Sequence, residues 1–189
     1  MSNGMPQLFA QLSYQDICGA VALIMSFIGT SIYIRSILKG QTKPHLYTWA
    51  IFTVLTTIAF FAQISDNAGP AAWVMGANAA LCFIIVLLSF KYGHTHKTMF
   101  DKVALTFSVI AILPWIITKD PLLSVIMVSL IDACAMLPTI RKSWNFPWQE
   151  NLPNYYIQNT KNIITFLALT HVTVTTSLYL VSIFLVNAT

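Results

Sequence analysis

Ile131-Asp132-Ala133-Cys134-Ala135-Met136-Leu137-Pro138-Thr139-Ile140-Arg141-Lys142-Ser143-Trp144 is an apolar run that carries one carboxylate, meets a proline, and ends in two basic residues and a tryptophan. A membrane helix leaving the bilayer on its cytoplasmic side has this order of residues, with the basic side chains and the indole ring at the interface. Asp132 lies nine residues before Arg141, about 13 Å along a helix, so the carboxylate is expected near mid-bilayer. Ionised and facing lipid there, it would cost at least about 2.5 kcal/mol. It must be paired, protonated or turned toward a wet interior.

Composition places the whole chain in the same class. Of 189 residues, 57% are hydrophobic and 8% charged, with mean hydropathy +0.71. Soluble domains use roughly 25% charged residues. The net charge of +4 does not imply nucleic acid, because the basic residues stand singly between apolar runs. The first sixteen residues hold no Lys or Arg, and no small-residue cleavage pattern follows the first apolar run, which predicts an uncleaved first helix. Cys18, Cys82 and Cys134 fall inside apolar runs without metal or redox spacing and read as small core residues.

Five apolar runs precede the C-terminal third: Ile17 to Leu38, Leu46 to about Ile64, Ala71 to Phe90, Val103 to Thr118 (containing Pro114), and a run from Pro121 that ends at Leu137. Arg35, Lys39, Lys43, Lys91, Lys97, Lys102, Arg141 and Lys142 follow the first, third and fifth runs. The turns between hold Asp66-Asn67-Ala68-Gly69-Pro70 and Lys119-Asp120-Pro121, with Lys119 their one basic residue. By the positive-inside rule the N-terminus is then outside. In the C-terminal third, Asn162 to Val186 is apolar except at Thr170-His171-Val172-Thr173. It forms either a sixth span from about Leu152 to Leu169 and a seventh from about Val172 to Val186, or one long helix preceded by an interfacial segment. Seven spans account for a correspondence between halves in which Arg35 falls on Arg141 and Trp49 near Tyr155 and Tyr156. The expected fold class is all-α, a polytopic membrane protein of two parallel three-helix units joined by a linking helix. Its segments are 1–16 (extracytoplasmic), 17–91 (first unit), 92–120 (cytoplasmic loop and linking helix) and 121–189 (second unit), with a cytoplasmic C-terminus.

With this order the chain resembles the PQ-loop and SWEET-type families, in which a proline near the cytoplasmic end of each unit's first helix precedes a basic residue. Leu137 to Trp144 is similar to the second such motif, with Thr139 where the family usually has Gln, and the first unit has Ile32 where proline is expected. Lys43-Pro44-His45-Leu46-Tyr47-Thr48-Trp49 and Trp73-Val74-Met75-Gly76-Ala77-Asn78-Ala79-Ala80 further resemble small bacterial inner-membrane proteins. The resemblance implies movement of a small polar solute through a cavity between the units. It also implies a third-helix asparagine lining that cavity, which Asn78 matches, while the last helix has no equally placed asparagine.

Lys161 comes to a depth comparable to that of Asp132 under the seven-span reading, so an intramembrane Asp132–Lys161 pair or a shared polar pocket is expected. Asn154, Gln158, Lys161 and Asn162 recur at spacings of three and four, marking one polar helix face. Candidate solute-binding residues are therefore Asp132, Lys161, Asn78 and Gln158, with Gln63 less central and Pro138 as the bend. Trp49, Trp144, Trp148, Tyr155 and Tyr156 read as interfacial anchors. His45, His94 and His96 read as loop residues without thiol or carboxylate neighbours, and His171 as an outer-turn residue. Neither a metal site, a cofactor motif nor a catalytic constellation is present, so enzyme activity has nothing to rest on. The partners expected are the bilayer and a small solute, with a homo-oligomer compatible. A transporter is the first reading, and a non-transporting membrane subunit or sensor binding a partner through the same fold is the second.

Overall fold

The apolar runs become helices, and the turns at 39–45, 66–69 and 119–120 fall at Gly, Pro, Asn or Asp residues. The structure, a computed structural model, describes residues 12–93, 99–145 and 152–188. The side chains of Phe100, Asp101, Ala104 and residues 135–155 lie outside that description, as do segment 1–11, His94, His96 and Trp148. Among the described residues eight helices follow one another: α1 (Tyr14–Leu38), α2 (Leu46–Ser65), α3 (Pro70–Tyr92), α4 (Met99–Ile110), α5 (Leu113–Thr118), α6 (Pro121–Asn145), α7 (Leu152–Leu167) and α8 (Val174–Ala188). The chain is all-helical, and α1, α2 and α3 are each long and apolar enough to cross a membrane.

Helix α1 opens with a reciprocal cap. Ser13 Oγ accepts from the Asp16 N–H at 3.2 Å while the Ser13 N–H donates to Asp16 Oδ2 at 2.9 Å, satisfying donors that the first turn leaves free. A Ser13→Ala variant is expected to lose about 1 kcal/mol, seen as a lower unfolding midpoint in detergent.

The fourth apolar run departs from expectation. It is two helices, α4 and α5, and α4 stops at Ile110, four residues before Pro114. The proline ring would clash with the carbonyl at that position. The backbone N–H of Trp115 is met from outside its own helix, donating to Ser124 Oγ on α6 at 3.2 Å. Helix α6, by contrast, runs without interruption past Pro138. In the C-terminal third the chain turns at residues 168–173, giving α7 and α8 as two helices packed on each other, not one long helix.

The order of packing differs from the order along the chain. Helix α3 packs against both α1 and α2, and α8 packs against both α6 and α7. Between the two groups α1 meets α7, α2 meets α6 and α8, and α3 meets α7, while α4 lies against α2 and α6. A single apolar core joins the groups, built largely of α2 (Ile51, Leu55, Ile58, Ala59, Ala62), Ala72 and Met75 of α3, Val125 and Val128 of α6, and Tyr179 and Leu180 of α8. Small residues let the backbones approach closely. A Cβ on Gly19 would stand 2.7 Å from the Pro70 side chain, where α1 meets the start of α3.

The distribution of polarity is inverted relative to a soluble domain. Phe90 and Leu130 are 73% and 60% exposed, whereas Gln63 and Asp132 are 1% and 6% exposed. An apolar exterior with polar groups inside suits a lipid solvent.

Candidate functional site

Buried polar side chains occur in both groups of helices, among them Gln63 on α2, Ser129 and Asp132 on α6, Asn162 on α7 and Thr176 on α8. Asp132 on α6 and Tyr179 on α8 are buried, and Cys82 on α3 and Lys161 on α7 are partly buried. The expected direct pair between Asp132 and Lys161 is not formed. Among the described residues no ion pair joins Asp132 to Lys161. The reason is the packing order. Helix α8 packs on both α6 and α7, between these two sequence neighbours.

On α7 the polar face is turned inward. Asn162 is buried and Gln158, Asn159 and Lys161 are partly buried, while Ile157 and Ile163 are exposed. Asn78 on α3 is also partly buried. The side chains of Asn154, Tyr155, Pro138 and Trp144 lie outside the described residues. Among the described residues several interior groups have no hydrogen-bond partner: Ser129 Oγ on α6, one turn before Asp132, Asn159 Oδ1 and Asn162 Nδ2 on α7, and Gln63 Oε1 on α2. A buried polar atom left unmet costs about 1–3 kcal/mol, and folded proteins keep few of them. This polar interior is therefore not closed upon itself. Among the described residues no three His, Cys, Asp or Glu side chains stand together as a metal ion requires, and His45 Nδ1 lies 3.1 Å from the Thr48 hydroxyl.

At one end of the bundle the two groups of helices are tied together. The turn after α2 meets the turn before α8: the Thr170 N–H donates to the Ala68 carbonyl at 2.9 Å, and the Thr173 hydroxyl donates to the Asp66 carboxylate. Beneath this tie, Gln63 Nε2 donates to the Thr176 carbonyl at 2.9 Å in the first turn of α8. Thr173 and Thr176 also cap α8 reciprocally, with the Thr176 N–H donating to Thr173 Oγ1 at 3.2 Å and the Thr173 N–H to Thr176 Oγ1 at 2.9 Å. The approach depends on Gly69. Its φ is +71°, and a Cβ there would stand 1.9 Å from Thr170 Oγ1. Sequence pattern marked both turns as turns and placed Gln63 near a helix end, but the pairing of Asp66 with Thr173 has no local signature.

No family model matches the chain, and no curated protein or solved structure matches it either.

Proposed function

We propose that the chain is a seven-span inner-membrane transporter that moves a small polar or charged solute by alternating access between two three-helix units. Helices α1 to α3 form one unit, α6 to α8 the other, and α4 with α5 the link. Two features of the packing support the repeat. In each unit the third helix packs on the other two. Across the units, the contact of α1 with α7 is mirrored by that of α2 with α6, and α2 with α8 by α3 with α7. A two-fold axis along the membrane normal, exchanging first, second and third helices in order, produces this reciprocity. The basic exits place the N-terminus outside and the C-terminus in the cytoplasm, which makes the tied end the extracytoplasmic one.

The observation on which transport rests is a buried carboxylate, Asp132 on α6, and a partly buried ammonium group, Lys161 on α7, with no ion pair between them, on helices that also carry unmet polar atoms at Ser129, Asn159 and Asn162. Groups held for packing alone meet their hydrogen bonds among themselves. Groups held for a solute leave some unmet until it arrives. Asp132 and Lys161 set the charge of the site, Asn78 and Gln158 hydrogen-bond the solute, and Pro138 is the residue that would let α6 bend during the cycle. The tie at Asp66–Thr173 and Ala68–Thr170 then corresponds to a closed outer gate.

Uptake into proteoliposomes across a panel of metabolites tests this. Saturable uptake of at least one small polar solute is expected, reduced at least tenfold in Asp132→Asn, a variant that removes the charge at nearly constant volume. No saturable uptake of any solute, or undiminished uptake in the variant, removes the transport assignment and leaves a partner-binding membrane subunit as the reading. A reporter fused after Thr189 tests the topology separately, since seven spans put it in the cytoplasm.

A further inference from the structure

Helices α7 and α8 flank a groove of about 230 Å³ lined by Asn162, Ile163, Phe166, Leu180, Val181 and Phe184. Ile163 and Val181 are 48% and 41% exposed, so the groove opens on the outer face of the bundle. Its walls are aliphatic and aromatic, and its one polar member is Asn162. That residue is only 4% exposed, and its Nδ2 has no hydrogen-bond partner. Oxygen and nitrogen of an amide exchange places by a half-turn of the side chain, so Asn162 is able to present a donor to whatever fills the groove.

The depth of that donor limits the occupant. Asn162 precedes the end of α7 at Leu167 by five residues, about 7.5 Å along the axis, and Phe184 is ten residues into α8, about 15 Å. The turn between the helices carries exposed Thr170, His171 and Thr173, polar groups suited to the membrane–water boundary. Phospholipid ester carbonyls lie at that boundary, at the edge of a hydrocarbon core about 30 Å thick. A hydrogen-bond acceptor that reaches Asn162 must instead be carried within the hydrocarbon, on a molecule whose remainder is apolar. The two phenyl rings of Phe166 and Phe184 add walls against which a flat ring packs favourably.

We propose that the α7–α8 groove binds the ring of a prenylated quinone, with one ring carbonyl accepting a hydrogen bond from the Asn162 side chain and the prenyl tail leaving past Ile163 and Val181 into the bilayer. Binding alone is assigned, with no electron transfer. The proposal rests on membrane placement of α7 and α8 but not on the transport reading.

The test uses the full chain in phosphatidylcholine nanodiscs and a benzoquinone bearing a two-unit prenyl tail. A saturable rise in the unfolding midpoint is expected. In Asn162→Leu the half-saturating concentration rises at least tenfold, the size of one buried hydrogen bond. The unliganded variant unfolds at the wild-type midpoint or above it, because an unmet polar atom has been removed. A purely structural role for Asn162 lowers that midpoint instead. Val181→Trp, which fills the groove and keeps the amide, abolishes the rise and covers the case in which Asn162→Leu does not fold. A photoreactive quinone labels the peptide containing residues 162–184, and unlabelled quinone displaces it. No saturable rise, equal binding of a prenylated benzene without carbonyls, wild-type affinity in Asn162→Leu, or labelling by a photoreactive phospholipid that quinone fails to displace each overturns the proposal.

Discussion

Gly69→Val lowers stability by about 3 kcal/mol or more and separates the turn after α2 from the turn before α8. Two costs combine. Gly69 has φ +71° and ψ −138°, a region that only glycine occupies freely, and a β-branched side chain held there costs about 1–3 kcal/mol. The new Cβ also falls 1.9 Å from Thr170 Oγ1 and 2.9 Å from Thr170 Cβ, which forces one of the two turns to move. Moving either breaks the Thr170–Ala68 backbone bond, which is made between residues on separate turns. The costs are separable. Gly69→Ala with Thr170→Gly removes the collision and keeps the backbone strain, so it recovers part of the loss and restores the tie. Unfolding midpoints in detergent measure the stability, and reaction of a cysteine placed at Ala68 with a water-soluble thiol reagent measures the opening. A Gly69→Val protein with wild-type stability and no gain in thiol reactivity contradicts the close approach of these turns.

The same tie shows where sequence reasoning stops. Helices were legible because apolar runs of about 20 residues are bounded by Asp66 to Pro70, by Lys119 to Pro121 and by Thr170 to Thr173, and each boundary acts through nearby backbone chemistry. The inward polar face of α7 was legible for the same reason, being a matter of spacing along one helix. What spacing does not encode is which helices become neighbours. Asp132 and Lys161 were expected to pair because they sit at similar depth on consecutive helices, yet α8 packs on both of those helices and no ion pair forms between the two charges among the described residues. The break before Pro114 was half legible. The proline predicted disturbed bonding, but that Ser124 would supply the missing acceptor follows only from the packing of α5 on α6.

Cysteines replacing Asp66 and Thr173 are expected to cross-link on mild oxidation and to stop transport. The two native side chains are in hydrogen-bond contact although 107 positions apart in sequence, which makes the two positions neighbours in space. The geometry and the mechanism are tested by different readouts of one protein. Cross-link formation, read as a change in gel mobility that reductant reverses, depends only on the proximity of the two turns. Uptake depends on whether those turns must part. If the units alternate around Asp132 and Lys161, closing the outer gate covalently lowers the initial rate of uptake at least tenfold, and reductant restores it. Each single substitution with oxidant keeps most of the rate, because Cys18, Cys82 and Cys134 are present in all the proteins and control for oxidation elsewhere. A cross-link that forms fully while uptake continues unchanged rules out passage through this end of the bundle. Failure of the cross-link to form, in a protein that still unfolds cooperatively, contradicts the contact between the two turns itself. The lock does not touch the groove between α7 and α8, so quinone binding is expected to be the same in the oxidised and reduced proteins.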